Sequence, residues 1–155
     1  GVTSSVNVSE VVFLAVTVTP YYIVLSWNYW EDAFCKPADT IIVQPGPDAC
    51  GQNQYRLKTN ANTINWCYDA CTKNGSLWLA DTGNSRILYF KKIPKENNQT
   101  ADDLFGNINF ESIGEHLDVG KANSERLYWP FAVNATNEHL IVADTGNHRI
   151  IIYPL

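Results

Sequence analysis

Short apolar runs bounded by polar turn residues recur along the second half of the chain. Residues 77–80 (LWLA) and 86–90 (RILYF) are apolar at nearly every position, and residues 140–143 (LIVA) and 149–153 (RIIIY) share the pattern. Such runs predict β-strands, and their continuous apolar character is typical of strands covered on both faces of a sheet. The apolar positions rarely follow the spacing of a helix, and Gly, Asn, Pro and Thr interrupt the chain every few residues. We therefore predict an all-β fold without helices.

The strands belong to an internal repeat of 63 residues. The pentapeptide ADTGN occurs at 80–84 and again at 143–147, and the similarity extends well beyond it. A second shift by the same interval aligns the apolar segment 11–27 with the strands of the second unit. Val18 then takes the position of the turn aspartate. The chain is predicted to be a single domain (1–155) made of a partial, degenerate first unit (1–37), a full second unit (38–100) and a nearly full third unit (101–155).

The repeated pentapeptide has the composition of a tight turn. Asp81 is expected to accept hydrogen bonds from backbone N–H groups just ahead of it, Gly83 to take a positive φ, and Asn84 to tolerate the left-handed region. Arg86 begins the outgoing strand, where its guanidinium can pair with the turn carboxylate or reach a neighbouring unit. The equivalent residues of the third unit are Asp144, Gly146, Asn147 and Arg149.

Asp-Thr-Gly after an apolar run also resembles the sequence around the two carboxylates of pepsin-like proteases. In that pattern the glycine is followed by Ser, Thr or Ala, whereas Asn84 and Asn147 follow it here. Two aspartates that share a proton must also meet face to face, which equivalent turns of neighbouring units do not do. The repeat therefore favours structural turns over a catalytic dyad.

Composition and charge disfavour nucleic acid and membrane partners. The chain has 155 residues, of which 45% are hydrophobic, enough for one core. Sixteen acidic residues against eleven basic ones leave a net charge of −5, which disfavours a phosphate-binding surface. The apolar stretch 11–27 does not predict a membrane span, because Pro20 and alternating threonines interrupt it.

Asn-X-Ser/Thr sequons and cysteines in even number indicate a secreted protein. The chain begins at Gly1 and contains no methionine, as expected of a processed protein or a piece of a longer one. The cysteines lack the CxxC pairs of zinc ribbons, so we predict disulfides, with three pairings possible. An extended Cys67–Cys71 segment would separate these two Cα atoms by roughly 13 Å, so crossed pairing with the other two cysteines is expected. The predicted glycosylation sites are Asn7, Asn74, Asn98 and Asn134, and the cysteines are Cys35, Cys50, Cys67 and Cys71.

The second and third units resemble the NHL repeat. The resemblance rests on LWLADTGNSRILYF at 77–90 and LIVADTGNHRIIIY at 140–153, and on PFAV at 130–133, which is similar to the family's middle element. The second unit has WCYDAC at 66–71 instead, which places a cysteine where the family has proline. The resemblance implies four-stranded blades of a six-bladed β-propeller. The chain holds about two and a half such blades, too few for a closed ring.

An incomplete ring implies partners, because it leaves unpaired strand edges and an exposed blade face. A second copy of the chain, a longer parent chain or head-to-tail assembly into a fibre would cover them. The first unit lacks the segment equivalent to 38–63, so its blade is expected to be short of an early strand. We predict a secreted, glycosylated protein with a structural or binding role that self-associates into an oligomer or an extracellular filament. Aromatic residues are enriched at interfaces, and the expected interface consists of Tyr21, Tyr22, Val24, Trp27, Tyr29 and Trp30.

The alternative is an enzyme, because some relatives of the NHL class are amidating lyases that hold a metal with histidines on the propeller axis. The histidines here are His116, His139 and His148, without the HxH or HExxH spacing of metal ligands. We therefore predict no enzymatic activity and assign no catalytic, cofactor-binding or metal residues. Strand tryptophans such as Trp78 are interpreted as blade packing and not as a carbohydrate platform.

Overall fold

The computed structural model describes residues 2–3, 13–17, 23–49, 51–112 and 123–155. These residues form three antiparallel sheets, and every helical segment among them is a short 3-10 turn. The predicted all-β fold is confirmed, and three sheets without ring closure agree with an incomplete propeller. No helix in the described part of the chain is long and apolar enough to cross a membrane.

Each sheet is built from strands that follow one another along the chain. The first sheet contains β1 (Val2–Thr3), β2 (Phe13–Thr17), β3 (Val24–Trp27) and β4 (Thr40–Ile42). The second contains β5 (Cys67–Lys73), β6 (Ser76–Asp81), β7 (Arg86–Phe90) and β8 (Asp103–Phe105). The third contains β9 (Pro130–Ala135), β10 (His139–Asp144) and β11 (Arg149–Pro154). The 3-10 turns are Trp30–Phe34, Gln52–Tyr55, Thr82–Asn84 and Thr145–Asn147.

The sheets do not begin and end with the repeat units. β8 lies in the third unit but pairs with β7 of the second, and β4 of the second unit pairs with β3 of the first. Each of these sheets therefore takes its last strand from the following unit. Residues 1–37 supply three of the four strands of the first sheet, and the expectation that this sheet lacks an early strand is wrong because β1 supplies it. Among the described residues, the sheet with three strands is the third.

The strand pairing in the first sheet also differs from the pairing that the 63-residue repeat predicts when the units are aligned without gaps. Val16 pairs with Val24 in the first sheet, whereas Ala80 pairs with Ile87 in the second. The connection between the paired residues is therefore one residue longer in the first sheet. The prediction that Val18 takes the position of the turn aspartate is therefore off by one residue. Val18 itself lies outside the described residues.

Two apolar clusters lie on the two faces of the second sheet, because side chains alternate across its strands. Leu77 and Leu79 belong to a cluster shared with the first sheet, and Trp78 and Ala80 to one shared with the third. The second sheet is thus covered on both faces, as its continuous apolar strands predicted. The third sheet is different, because two isoleucines of β11 are exposed.

Candidate functional site

The turn that joins β6 to β7 is organised around the carboxylate of Asp81, which is fully buried. Its Oδ1 accepts a hydrogen bond from the backbone N–H of Asn65 at 2.7 Å, and its Oδ2 accepts one from Arg86 Nε at 2.7 Å. The side-chain amide of Asn84 donates to both oxygens, at 2.9 and 2.8 Å. The backbone donor therefore lies sixteen residues earlier in the chain, and the expectation of donors just ahead of the aspartate is wrong.

Arg86 connects this turn to two distant loops. Its buried guanidinium donates from Nη2 to the carbonyl oxygens of Asn60 and Thr63, at 3.0 and 2.9 Å. Its Nη1 donates to the carbonyl oxygen of Phe110 in the third unit, at 2.7 Å. The predicted pairing with the turn carboxylate and the predicted contact with a neighbouring unit are both present in this one side chain.

The buried carboxylate and guanidinium form one ion pair. Burial raises the pKa of Asp81 above its ordinary value, and the charge of Arg86 together with hydrogen bonds from Asn84 and Asn65 opposes that shift. Asn65, Asn84 and Arg86 each donate to a carboxylate oxygen, so the arrangement fits the ionised form. The pair therefore has a structural role at the junction of three loops.

Gly83 is required for close packing and not for a positive φ. Its N–H donates to the carbonyl oxygen of Asn65 at 2.8 Å, and a Cβ at this glycine would lie 2.9 Å from the same oxygen. The left-handed residue of the turn is Ser85, with φ of 55°. The prediction of a positive φ at the glycine is thus wrong. The third unit has the same arrangement at Gly146, Tyr128 and His148.

The equivalent turn of the third unit is open to solvent on one side. Arg149 Nε pairs with Asp144 Oδ2 at 2.7 Å, and its Nη2 donates to two carbonyl oxygens of the preceding loop. Its side chain is 28% exposed, whereas that of Arg86 is fully buried. In the described residues no carbonyl occupies the place that Phe110 takes beside Arg86.

The exposed side of the third sheet, which we call the outer face, is mostly apolar. Cross-strand pairing places eight side chains on it, and its most exposed apolar members are Ile150 and Ile152, at 62% and 60%. None of the eight is Asp, Glu, Lys or Arg, and His139 lies at the end of the face. The outer face consists of Ala132, Asn134, His139, Ile141, Ala143, Ile150, Ile152 and Pro154.

The 63-residue repeat relates the outer face to a covered surface in the second sheet. Ile141 and Ile150 are equivalent to Trp78 and Ile87, which lie in the cluster between the second and third sheets. Ile87 is fully buried there. The outer face thus occupies the position that, one unit earlier, packs against the next sheet.

The repeat also relates a buried threonine beside the covered surface to an exposed threonine beside the outer face. Thr82 Oγ1 donates to the carbonyl oxygen of Pro130 at 2.5 Å, which joins the second turn to the third sheet. The equivalent Thr145 is exposed, and among the described residues its hydroxyl bonds only to its own strand, at Ala143. A hydroxyl donor suited to another sheet therefore lies beside the apolar side chains of the outer face.

The family model described as the NHL repeat matches residues 129–153. This chain carries an NHL repeat. The matched segment comprises β9, β10, β11 and the Asp144–Arg149 turn, so the repeat unit is the sheet that carries the outer face. No curated protein matches the chain significantly. The NHL repeat indicates a propeller-type domain with a binding or structural role.

The expected interface residues of the first unit lie in two different environments. Val24 is fully buried between the first and second sheets of the same chain, and Trp27 is buried with its indole N–H donating to the carbonyl oxygen of Lys36. The assignment of these two to a surface contact is therefore wrong. Tyr29 and Trp30 are exposed. Tyr21 and Tyr22 lie outside the described residues.

The predicted N-glycosylation sequons differ in accessibility. Asn74 is exposed in the β5–β6 turn, and Asn134 is exposed on β9. Asn98 is half-buried and accepts a hydrogen bond from Gln54 Nε2 at 2.6 Å, so the expectation of a freely exposed side chain there is wrong. Asn7 lies outside the described residues.

Three of the four cysteines are described, and all three are free thiols. Cys35 is exposed, Cys67 is buried and Cys71 is half-buried, whereas Cys50 lies outside the described residues. Burial raises the pKa of Cys67 well above its ordinary value and that of Cys71 to about 12. Cys67 packs in the cluster with the first sheet and Cys71 against the cluster with the third. Disulfide formation stays a prediction.

The geometry also bears on the catalytic alternatives. Asp81 and Asp144 each pair with the arginine of their own turn, so they do not share a proton as a protease dyad would. His139 and His148 are exposed, and His116 lies outside the described residues. Within the part of the chain that the structure describes, no three His, Cys, Asp or Glu side chains are grouped to hold a metal ion.

Proposed function

We propose that this is a secreted, N-glycosylated NHL-repeat protein with a structural or binding role, which self-associates through the outer face of its third sheet. The observation that carries the proposal is the exposure of Ile150 and Ile152 at positions whose equivalents one unit earlier are covered by a sheet. Exposed apolar patches on soluble proteins mark interaction sites. The exposed sequons Asn74 and Asn134 support a secreted location.

The free energy that favours association comes from apolar burial. Covering one isoleucine side chain completely contributes about 1.5–3 kcal/mol, and each copy of the chain offers two that are mostly exposed. The outer face has no Asp, Glu, Lys or Arg among its members, so two such faces meet without repulsion between carboxylates, ammonium groups or guanidinium groups. A second copy of this chain is therefore a suitable partner for the outer face.

The far side of the first sheet is a poorer partner. Trp27 and Ile41 lie on that side and are already buried by the chain itself, at 8% and 7% exposure. Head-to-tail stacking would need this surface to be free. Contact between two outer faces needs only the exposed one, and such a symmetric contact ends with two copies. We therefore favour a dimer over a filament.

The oligomeric state of protein made without glycans tests the proposal. Ile152→Glu places a charge on the outer face, and Leu57→Glu is the matched control because Leu57 is 95% exposed in a loop. Light scattering over concentrations up to about 1 mM detects dissociation constants in the millimolar range or tighter. We expect the wild type and Leu57→Glu to form dimers and Ile152→Glu to be a folded monomer. A wild type that stays monomeric at every concentration would refute self-association.

A further inference from the structure

Asn134 lies within the outer face and not at its edge. It pairs with Ile141 across β9 and β10, and Ile141 pairs with Ile152 across β10 and β11, so the three form one row. Neighbouring strands are about 4.8 Å apart, which puts Asn134 roughly 10 Å from Ile152 along this row. Any group attached to the Asn134 side chain therefore extends over the apolar part of the face.

Asn134 begins a sequon, Asn134-Ala135-Thr136, and its amide is available for modification. The side chain is exposed, and in the described residues it makes no hydrogen bond that glycosylation would break. Asn98 differs because it holds Gln54. The equivalent of Asn134 in the second unit is Cys71, which packs at the covered interface between the second and third sheets. The sequon therefore occurs at this position in the unit whose face is exposed.

We propose that Asn134 carries an N-linked glycan that covers the outer face, and that this glycan and a second copy of the chain exclude each other. In the modification, Asn134 Nδ2 bonds to C1 of the first sugar of a lipid diphosphate-linked oligosaccharide. The bond from C1 to the diphosphate breaks, the lipid diphosphate leaves, and the amide loses one proton. The first sugars of the glycan then lie over Ile141 and Ile152.

This inference rests on the proposed self-association and identifies what regulates it. A branched, hydrated glycan on Asn134 occupies the space that a second outer face would fill. Dimer formation requires burial of Ile150 and Ile152, so a chain glycosylated at Asn134 remains monomeric. Occupancy of one sequon during secretion thereby sets the ratio of monomer to dimer, while the other sequons have no such effect.

The test compares glycan occupancy in separated assembly states. Wild-type protein secreted from eukaryotic cells is divided by size-exclusion chromatography, and glycopeptide mass spectrometry quantifies occupancy at each sequon in each fraction. We expect Asn134 glycans to be at least tenfold enriched in the monomer. Asn134→Gln should convert the secreted protein to dimer. Asn74→Gln is the matched control, because it removes an exposed sequon away from the outer face, and should leave the distribution unchanged.

The outcomes separate this inference from the proposed function. Equal Asn134 occupancy in monomer and dimer, or an unoccupied Asn134 in the secreted protein, overturns the glycan inference and leaves self-association intact. If Asn134→Gln and protein made without glycans are both monomeric, self-association itself is refuted, and the glycan inference with it. Light scattering on both preparations distinguishes these cases.

Discussion

At the scale of single residues, the two ADTGN turns are held by contacts with residues far away in sequence. The glycine allows the chain to approach the carbonyl oxygen of Asn65, and the aspartate accepts a hydrogen bond from the same residue's N–H. Turn composition indicated which residues matter but not why, because local rules describe the conformation of the turn alone. The left-handed position falls on Ser85, a residue type that those rules do not select.

Gly83→Ala should destabilise the protein by about 1–3 kcal/mol through overpacking. The added Cβ would lie 2.6 Å from the side chain of Asn65 and 2.9 Å from its carbonyl oxygen, and the backbone oxygen cannot move without loss of its hydrogen bond. Gly46→Ala is the matched control, because a Cβ there meets nothing within 4 Å. Urea denaturation measures both. Equal stability of the two variants would contradict the packing role of Gly83.

Asp81→Ala should cost more stability than Asp144→Ala, although the two aspartates occupy the same position of the repeat. Loss of Asp81 leaves the fully buried guanidinium of Arg86 without a counter-charge, which costs about 3–5 kcal/mol. Arg149 is 28% exposed and can be hydrated, so loss of Asp144 should cost about 1.5–3 kcal/mol. Denaturation midpoints at constant m-value provide the comparison. The reverse order would show that burial does not determine the strength of these pairs.

At the scale of strands, the repeat predicted most of the second and third sheets. The expected run 86–90 is β7, and the runs 77–80, 140–143 and 149–153 lie within strands that extend them by one or two residues. The first unit was predicted less well, because a connection longer by one residue shifts its register. The sequence does not reveal this shift, because the first unit lacks the Asp-Thr-Gly-Asn turn by which the other two units are aligned.

The burial of Val24 could not be predicted from the sequence for a related reason. Val24 and Ile150 both occur in apolar strands, and the sequence does not say which faces a neighbouring sheet of the same chain. The structure buries Val24 between sheets and leaves Ile150 exposed. The repeat did hold usable information, because the outer face is the equivalent of a covered surface one unit earlier. To recognise this equivalence, one must know which side chains share a face of the sheet. The strand register provides that information.

In the reduced protein, the two cysteines of β5 should react slowly with a thiol label, and they should not bond each other. Burial raises the pKa of Cys71 to about 12 and that of Cys67 well above its ordinary value, and only the thiolate reacts. Alkylation at pH 8 should therefore be at least about 100-fold slower than in the unfolded protein. Because the unfolded state loses these protons first, stability should fall as the pH rises above about 9. Peptide mapping with a thiol label identifies each site, and fast labelling of Cys67 in the folded protein would contradict its burial.

At the scale of the whole molecule, the three sheets are unequally supported. The second sheet has an apolar cluster on each face, whereas the third has one cluster and one exposed face. Stacked repeat units are stabilised by their interfaces with neighbours, so a unit with one interface opens more readily than a unit with two. The NHL repeat at 129–153 is therefore less supported than the second sheet, and it carries the outer face. Association at this face would give the third sheet a second interface.

Hydrogen exchange should reveal this difference and its removal by assembly. In the monomer, amides of β10 should exchange faster than those of β6, which has the same position in a sheet covered on both faces. Exchange reports the free energy of local opening, and a sheet that gains a second interface opens less often. Protein made without glycans should therefore show slower exchange in β10 as its concentration rises, while β6 changes little. Ile152→Glu supplies the monomeric control, and its β10 amides should not respond to concentration. Uniform protection of both strands at low concentration would mean that the third sheet is stable without a partner, and the energetic reason for association through the outer face would be lost.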